Sequence, residues 1–551
     1  MLQKLILLYG DEKGKETENK LRLIINQGKK DIRYEERPYW SEKDVFLIAY
    51  PDSFIGKDIS GLASLASFLN LHLEGVINGV HILPFFPYSS DRGFSVVDFN
   101  QVEHEFGTWE DIENIGKNYR IMADLVLNHV STKHLWFQEF LKGNPKFTNY
   151  FISFSPEEKP KNEDINKIIR SRPTPVLTRF QTSWGERLVW TTFSVENSTD
   201  QVDLNYKNPK ILMEIVKVVL NFIKKGVRII RLDAAPFVWK ELGTNCFNLP
   251  QAHTMVKILR QIVDEVCPAT LIITQASTSL EENIAYFGNG QDEAELVYNF
   301  SLPPLVLFSF LKENAAHLTS WAKNLKTPSD KTTFFNFLAV HDGIGLSGAE
   351  GILNQEEKKF LCDTVLVRGG LVSEKTLPTG EKKVYEINST YWSALNKDDE
   401  PFETAKQKFI TAITISLALA GVPAIYYNMF FGSKDDQELF HKTGIKRDLN
   451  RQNFNLSDLQ IRLSDSSSNE SKVFAEVKDL IKKRVNSSAF HPNAKQEILD
   501  LDYRVFALVR ENKKTGEKML CLHNVSGEKV EVEYLGKNYT IEAYGYMWEK
   551  M

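Results

Sequence analysis

Cysteine is scarce: the 551 residues carry four, Cys246, Cys267, Cys362 and Cys521, far apart and without a CxxC pair. That spacing argues against a disulfide framework or a cysteine-based zinc site and fits a reducing compartment. A basic excess is absent too. The formal net charge is -5 and the 67 Lys and Arg are scattered, so no concentrated positive face exists to hold a phosphate backbone, and nucleic acid is not an expected partner. Long apolar runs are also missing. The start, MLQKLILLYGDEKG, has an apolar run of only about five residues, where a signal peptide needs roughly 7–15. The stretch from Ala412 to Tyr427 is apolar on average, but Gly421 and Pro423 interrupt it. It falls short of the roughly 20 residues of a membrane span, and reads as a buried helix turning into a buried strand. A cytoplasmic protein with no membrane partner is expected.

What is present is a core. With 42% hydrophobic and 11% aromatic residues, the chain is long enough for one large enzyme domain with smaller appendages. Short apolar or β-branched runs recur, each followed by a longer helical stretch: VFLIAYP, VINGVHILPF, YRIMADLVL, GVRIIRLD, TLIITQ, ELVYNF, FFNFLAV and GVPAIYY. Eight such alternations predict an α/β fold, a (β/α)8 barrel. Residues 1–40, charged and helical in pattern, read as a lead-in. The barrel then runs through 41–130, 209–342 and 405–499. Two connections are too long for simple loops, 131–208 after the third strand and 343–404 after the seventh, and read as insertion subdomains. After about residue 500 the pattern becomes VFALVR, KMLCLHN, KVEVEYL and NYTIEAY with Gly-containing turns. Residues 500–551 therefore predict a small all-β C-terminal domain, a sandwich.

Barrel chemistry gathers where strands end at the C-terminal face. Polar residues stand at five such ends: Asp91-Arg-Gly-Phe94 after the second strand, Asp124 to His129 after the third, Arg231-Leu-Asp233 after the fourth, Gln275 after the fifth and His341-Asp342 after the seventh. A single strand-end Asp more often caps a helix or pairs with an Arg. Five polar sets converging on one mouth can instead surround a sugar. Retaining glycosidic chemistry needs a carboxylate nucleophile, an acid/base carboxyl about 5–5.5 Å away, and groups that hold the ring as charge develops at C1.

The blocks DLVLNH, GVRIIRLDAA, LIITQASTSLEENIAYFG and FLAVHDGIG, in this order, resemble the four signature regions of the alpha-amylase family. DRGFSVVDF, HLWFQEFLKGNP, VWTTF with DQVDLNYKNP, WKELGTNCFNLPQAH and VYEINSTYWSALN further resemble its sucrose phosphorylase branch, especially the longer members acting on glucosylglycerate or glucosylglycerol. The resemblance spans about residues 40–460. It implies a glycoside phosphorylase that passes an α-glucosyl unit between a small α-glucoside and inorganic phosphate, with no metal and no cofactor. A hydrolase or transglucosidase, or a non-catalytic sugar-binding barrel, are the alternatives, and nothing here fixes an oligomeric state.

By position, the resemblance makes Asp233 the nucleophile, with Arg231 two residues earlier on the same strand face, expected to lower its pKa. Asp342 would stabilise the transition state, and His341 and His129 would donate to the same sugar. Asp91 and Phe94 would hold the far edge of the glucose. Arg451, in RDLNR, would pair with Asp91 and seal the pocket. Asp124 to Asn128 would be supportive. No phosphate loop of the GxxxxGK[ST] kind is present, so phosphate is expected on the loops after the third and seventh strands.

One position departs. The family's acid/base is a glutamate at the end of the fifth strand, where this chain has Gln275, and an amide cannot transfer the proton. Glu281 and Glu282, in the separate EENIAYFG stretch, are not expected to substitute. Ala276-Ser277-Thr278-Ser279 also departs from the branch's Thr-Asn-Val-Pro. Three readings follow: an engineered Glu to Gln exchange, preferred because the other catalytic positions are intact; a naturally disabled barrel that binds sugar; and an enzyme whose donor leaves without help.

Overall fold

The computed structural model of the chain describes residues 1–36, 39–170, 172, 174–194, 199–376 and 382–551. Each of the eight apolar runs carries a strand, the seventh starting one residue ahead of its run: β1 Phe46–Ala49, β2 Gly79–Ile82, β3 Arg120–Val126, β4 Val227–Asp233, β5 Leu271–Thr274, β6 Leu296–Tyr298, β7 Thr333–Asn336 and β8 Val422–Tyr426. They pair in parallel and close on themselves in the order β1-β8-β7-β6-β5-β4-β3-β2. Helices cover the outside and side chains fill the inside, so the strands are apolar on both faces. The fill is tight: a Cβ at Gly79 would lie 2.3 Å from the Phe46 ring, which is why the second strand opens on glycine.

The helices follow from spacing and caps. Leu2–Tyr9 (α1) and Asp11–Lys29 (α2) form the lead-in, packed outside the barrel. Pro209–Lys224 (α3) starts at Asn208, whose side chain accepts from the Lys210 N–H, with proline at the first turn where its missing N–H costs nothing. It buries Ile211, Leu212, Ile215, Val216, Val219 and Phe222, a stripe of helical period. Pro250–Val266 (α4) and Leu280–Ile284 (α5) flank β5. Phe402–Ala418 (α6) is buried almost throughout and feeds β8 through Gly421 at φ +139°. The apolar Ala412–Tyr427 stretch is thus half core helix and half barrel strand, and no helix among the described residues is long and apolar enough to cross a membrane.

The insertion after β3 carries a three-stranded sheet, Ser153–Phe154, Leu177–Thr182 and Gly185–Trp190, around a small core of Ile168, Val176, Trp190 and Cys246. The insertion after β7 carries a second three-stranded sheet, Ile344–Gly345, Leu371–Thr376 and Lys382–Asn388. At the C-terminus β9 Lys495–Asp502, β10 Val505–Glu511, β11 Lys518–Asn524 and β14 Tyr546–Lys550 form one sheet, and β12 Val530–Tyr534 pairs with β13 Lys537–Ile541 as a hairpin. Leu499, Val505, Leu520, Val530, Val532 and Ile541 pack between the two layers. The first of these strands begins at Lys495, ahead of the composition change near 500. Two buried arginines brace this end of the molecule, Arg510 between this domain and the barrel and Arg484 within the barrel itself. Arg510 donates to the carbonyls of Ala418 at the end of α6 and of His491, both at 2.7 Å, and Arg484 donates to those of Leu417 at 3.0 Å and Gly421 at 3.3 Å.

Candidate active site

The C-terminal ends of the strands and both insertions enclose a cavity of about 360 Å³. Asp91, Phe94, His129, Asp233, Gln275, His341 and Asp342 line it. Arg231 and Arg451 lie behind the wall, each almost fully buried.

Strand register assembles the floor. Arg231 on β4 and Asp124 on β3 are side-by-side partners, and Arg231 Nη1 donates both to Asp124 and, at 2.9 Å, to Asp233 Oδ1. Asp124 Oδ2 meets His81 Nε2 at 2.8 Å. The guanidinium lies 5.6 Å from the Phe94 ring centre and 5.4 Å from that of Tyr298, within cation–π range. Burial raises the Asp233 carboxyl to about 7; Arg231 pulls it down, and the charges of Asp124 and Asp342 push it further up. Arg231 thus lowers the Asp233 pKa as expected, but burial outweighs it and the net value stays raised. The guanidinium is shared with Asp124, and one buried cation between two carboxylates does not offset the desolvation of both.

Backbone strain marks two ends. Ala234, immediately after Asp233, is left-handed at φ +53°, and so are Asp91 at φ +52° and Arg92 at φ +48°. Such residues cost about 1–3 kcal/mol each and concentrate where a side chain must be aimed. The Ala234 turn lets its N–H reach Gln275 Oε1 at 3.3 Å. With that oxygen occupied, the amide NH2 of Gln275 is left for the cavity as a donor that cannot release a proton.

Asp342 is held by Arg447, whose Nη1 is 2.7 Å from its Oδ1. The other edge of Arg447 grips Glu386 through Nε at 3.0 Å and Nη2 at 2.8 Å. Burial alone would raise Asp342, but the guanidinium of Arg447, and then that of Arg451, hold it far below the ordinary carboxylate range. His341 stacks on Phe94 at 4.9 Å and 16°, and burial lowers its imidazole to about 3, so it is neutral. His129 is likewise lowered by burial to about 4. Its Nε2 faces the Phe94 carbonyl at 3.2 Å, so its N–H is directed there rather than into the cavity.

Arg451 does not make the expected pair. Its Nε donates to the His341 carbonyl at 2.8 Å and its Nη2 is 3.9 Å from Asp342. Asp91 instead meets Arg172, from the insertion after β3, at 3.9 Å. Burial opposes ionisation of Asp91, yet Arg172, Arg447 and Arg451, in that order, keep its pKa low. Arg451 stabilises the β7 end from behind, while Arg172 reaches over the pocket.

The outer wall joins the two insertions. Arg170, Arg172, Lys375, Lys383, Tyr385 and Arg447 line it together with Glu350 and Glu386. Arg172 donates to Tyr385 Oη at 3.0 Å and Lys383 pairs with Glu350 at 2.7 Å. Burial, then the neighbouring Lys383, lowers the Lys375 amine. No motif singled out these residues; Arg447 stands only four places from Arg451 in KRDLNR and could have been weighed with it. Glu282 also lines the cavity. Its separate stretch of sequence was a poor guide, because α5 folds back onto the wall that carries Gln275.

Comparison with known proteins agrees with this geometry. Residues 50–344 match the family described as Alpha amylase, catalytic domain. The chain is 42% identical over 532 residues to the glucosylglycerate phosphorylase of Spirochaeta thermophila, covering 96% of this chain and 89% of that protein. It is 39% identical over 546 residues to the glucosylglycerate phosphorylase of Escherichia coli, covering 96% of each. Its fold superposes on the crystal structure of sucrose 6F-phosphate phosphorylase from Thermoanaerobacter thermosaccharolyticum with a TM-score of 0.78 at 28% identity, over 91% of this chain and 98% of that one. A closed eight-stranded parallel barrel, strand-end carboxylates around one cavity and near full-length likeness lead to one assignment: the chain belongs to the alpha-amylase family, in the branch of glycoside phosphorylases that holds the sucrose and glucosylglycerate enzymes.

Proposed function

We propose that the protein transfers an α-glucosyl unit between a small α-glucoside, of the glucosylglycerate, glucosylglycerol or sucrose type, and phosphate, by two displacements through a β-glucosyl intermediate on Asp233. The observation that carries this reading is the Asp233 carboxylate at the end of β4, oriented by Arg231 and facing the same cavity as Asp342. Asp342, kept anionic by Arg447, stabilises the positive charge that develops at C1. Phe94 and Asp91 hold the glucose ring. The cationic outer wall supports an anionic co-substrate, phosphate, and favours an acidic acceptor of the glucosylglycerate type. The reading includes a cytoplasmic location, supported by four free, buried cysteines.

Gln275 is read as an acid/base Glu to Gln exchange that impairs proton transfer. A second reading, a non-catalytic sugar-binding barrel, draws on Gln275 together with Ala276-Ser277-Thr278-Ser279. The test is α-glucosyl fluoride, whose leaving group departs without a proton. The first displacement then needs mainly the carboxylate, so one glucosyl unit should accumulate on Asp233 in intact-protein mass spectrometry. Azide, which needs no base, should release it as the α-configured azide. Retained glucose binding with no adduct favours the sugar-binding barrel, and a β-configured product refutes the double displacement.

A further inference from the structure

Among the carboxylates of the cavity, Glu282 stands apart. Asp91, Asp233, Asp342, Glu350 and Glu386 each have a Lys or Arg nitrogen within 4.0 Å. Among the described residues, Glu282 meets hydroxyls instead: Thr278 Oγ1, and Ser279 Oγ at 3.3 Å. It lies in the first turn of α5, where its N–H donates to the N-cap Ser279, and a glutamate at this point of a helix ordinarily reaches back to the cap backbone. Here the carboxylate turns to the two hydroxyls on the cavity wall, on the same β5-to-α5 loop as Gln275.

A proton carrier must be an acid in one half of the cycle and an anion in the other. Asp342, clamped by Arg447, is held as an anion. Hydroxyl partners can donate to a carboxylate or accept from a carboxylic acid, so Glu282 keeps partners in both states. Lys375 and Tyr286 are titratable groups that its charge reaches.

We propose that Glu282 carries a residual general acid/base function in place of Gln275, an inference that rests on the phosphorylase reading above. In the first step the glycosidic C1–O bond breaks as Asp233 bonds to C1, and the Glu282 proton passes to the leaving oxygen, directly or through one water. In the second, a hydroxyl of the acceptor attacks C1, the C1–Asp233 bond breaks, and the hydroxyl proton goes to Glu282. The route is slower than one through a carboxyl at position 275, which is why the glucosyl-enzyme should still accumulate.

The experiment follows discharge of the glucosyl-enzyme, formed from α-glucosyl fluoride, by glycerate and by azide in single turnovers read by intact mass. Glu282→Gln is compared in the parent chain and in the Gln275→Glu background. In the parent, the ratio of glycerate to azide discharge should fall about tenfold or more, and it should fall far less where a carboxyl at 275 moves the proton. An equal fall in both backgrounds overturns the proposal, as does no fall in the parent or a parent that discharges to azide but never to glycerate. Turnover by the Gln275→Glu chain carrying Glu282→Gln shows that the substitution folds. If no glucosyl-enzyme forms in either background, the phosphorylase reading itself fails; the other adverse outcomes reach only the role of Glu282.

Discussion

Asp233 must be ionised to attack, and burial raises it to about 7, so the first displacement should lose rate as pH falls. With α-glucosyl fluoride as donor no proton donor is needed, and single-turnover fluoride release reports the state of Asp233. Below about 7 the rate should drop tenfold per pH unit, since only the anion reacts. Asp124→Asn tests the cause. Asp124 and Asp233 accept from the same Arg231 nitrogen, so at ordinary hydrogen-bond lengths the two carboxylates lie within about 6 Å of each other. Unit charges at that distance interact by about 2.8 kcal/mol at an effective dielectric of about 20, which is about two pKa units. Removing the Asp124 charge also leaves Arg231 wholly to Asp233. The acid limb should therefore move down by about two units, while the amide that replaces the carboxylate keeps its oxygen toward Arg231 and presents its NH2 to His81, whose neutral imidazole can accept it. A parent limb already near the ordinary carboxylate value of about 4 would refute the burial argument, and an unshifted limb in Asp124→Asn would refute the shared-cation account.

Gln275→Glu should raise glucose 1-phosphate formation from an α-glucoside by about 10²–10⁴, measured against a panel of acceptors in the reverse direction; equal inactivity of both forms on every glucoside would favour the disabled barrel. Asp233→Asn should stabilise the protein at pH 8 by about 2 kcal/mol or more, read as a higher thermal midpoint. The sign follows from linkage: a carboxyl raised from 3.8 to about 7 on folding costs stability as pH rises through that window, so the gain should vanish below the unfolded value. Arg510→Met should lower stability by about 2–4 kcal/mol, because the carbonyls of Ala418 and His491 lose their donor; an unchanged denaturation midpoint would show that water replaces the guanidinium. The Gln275→Glu form should keep its activity in chelators, since the displacement uses carboxylates alone.

Much of the molecule was legible in the sequence because its signals are local. Strands covered on both faces need continuous apolar runs, so GVRIIRLD and its seven counterparts marked the barrel, and the residues ending those runs had to converge on one mouth. Chain order and strand ends are enough for that, because the barrel closure is the same for every strand. What depends on contacts between distant segments was not legible. Arg172 rather than Arg451 meets Asp91, because the reach of an insertion over the barrel is set by how its own small sheet packs. The raised Asp233 carboxyl depends on burial and on Asp124 sharing Arg231 across two strands, and neither is encoded in the Arg-Leu-Asp spacing. Glu282 enters the cavity only because α5 turns back toward β5. Sequence by itself determined which side chains stand at the barrel mouth; the tertiary structure decided which charges share a partner there and which carboxylate meets hydroxyls in place of a cation, since pairing and desolvation act through space and not along the chain.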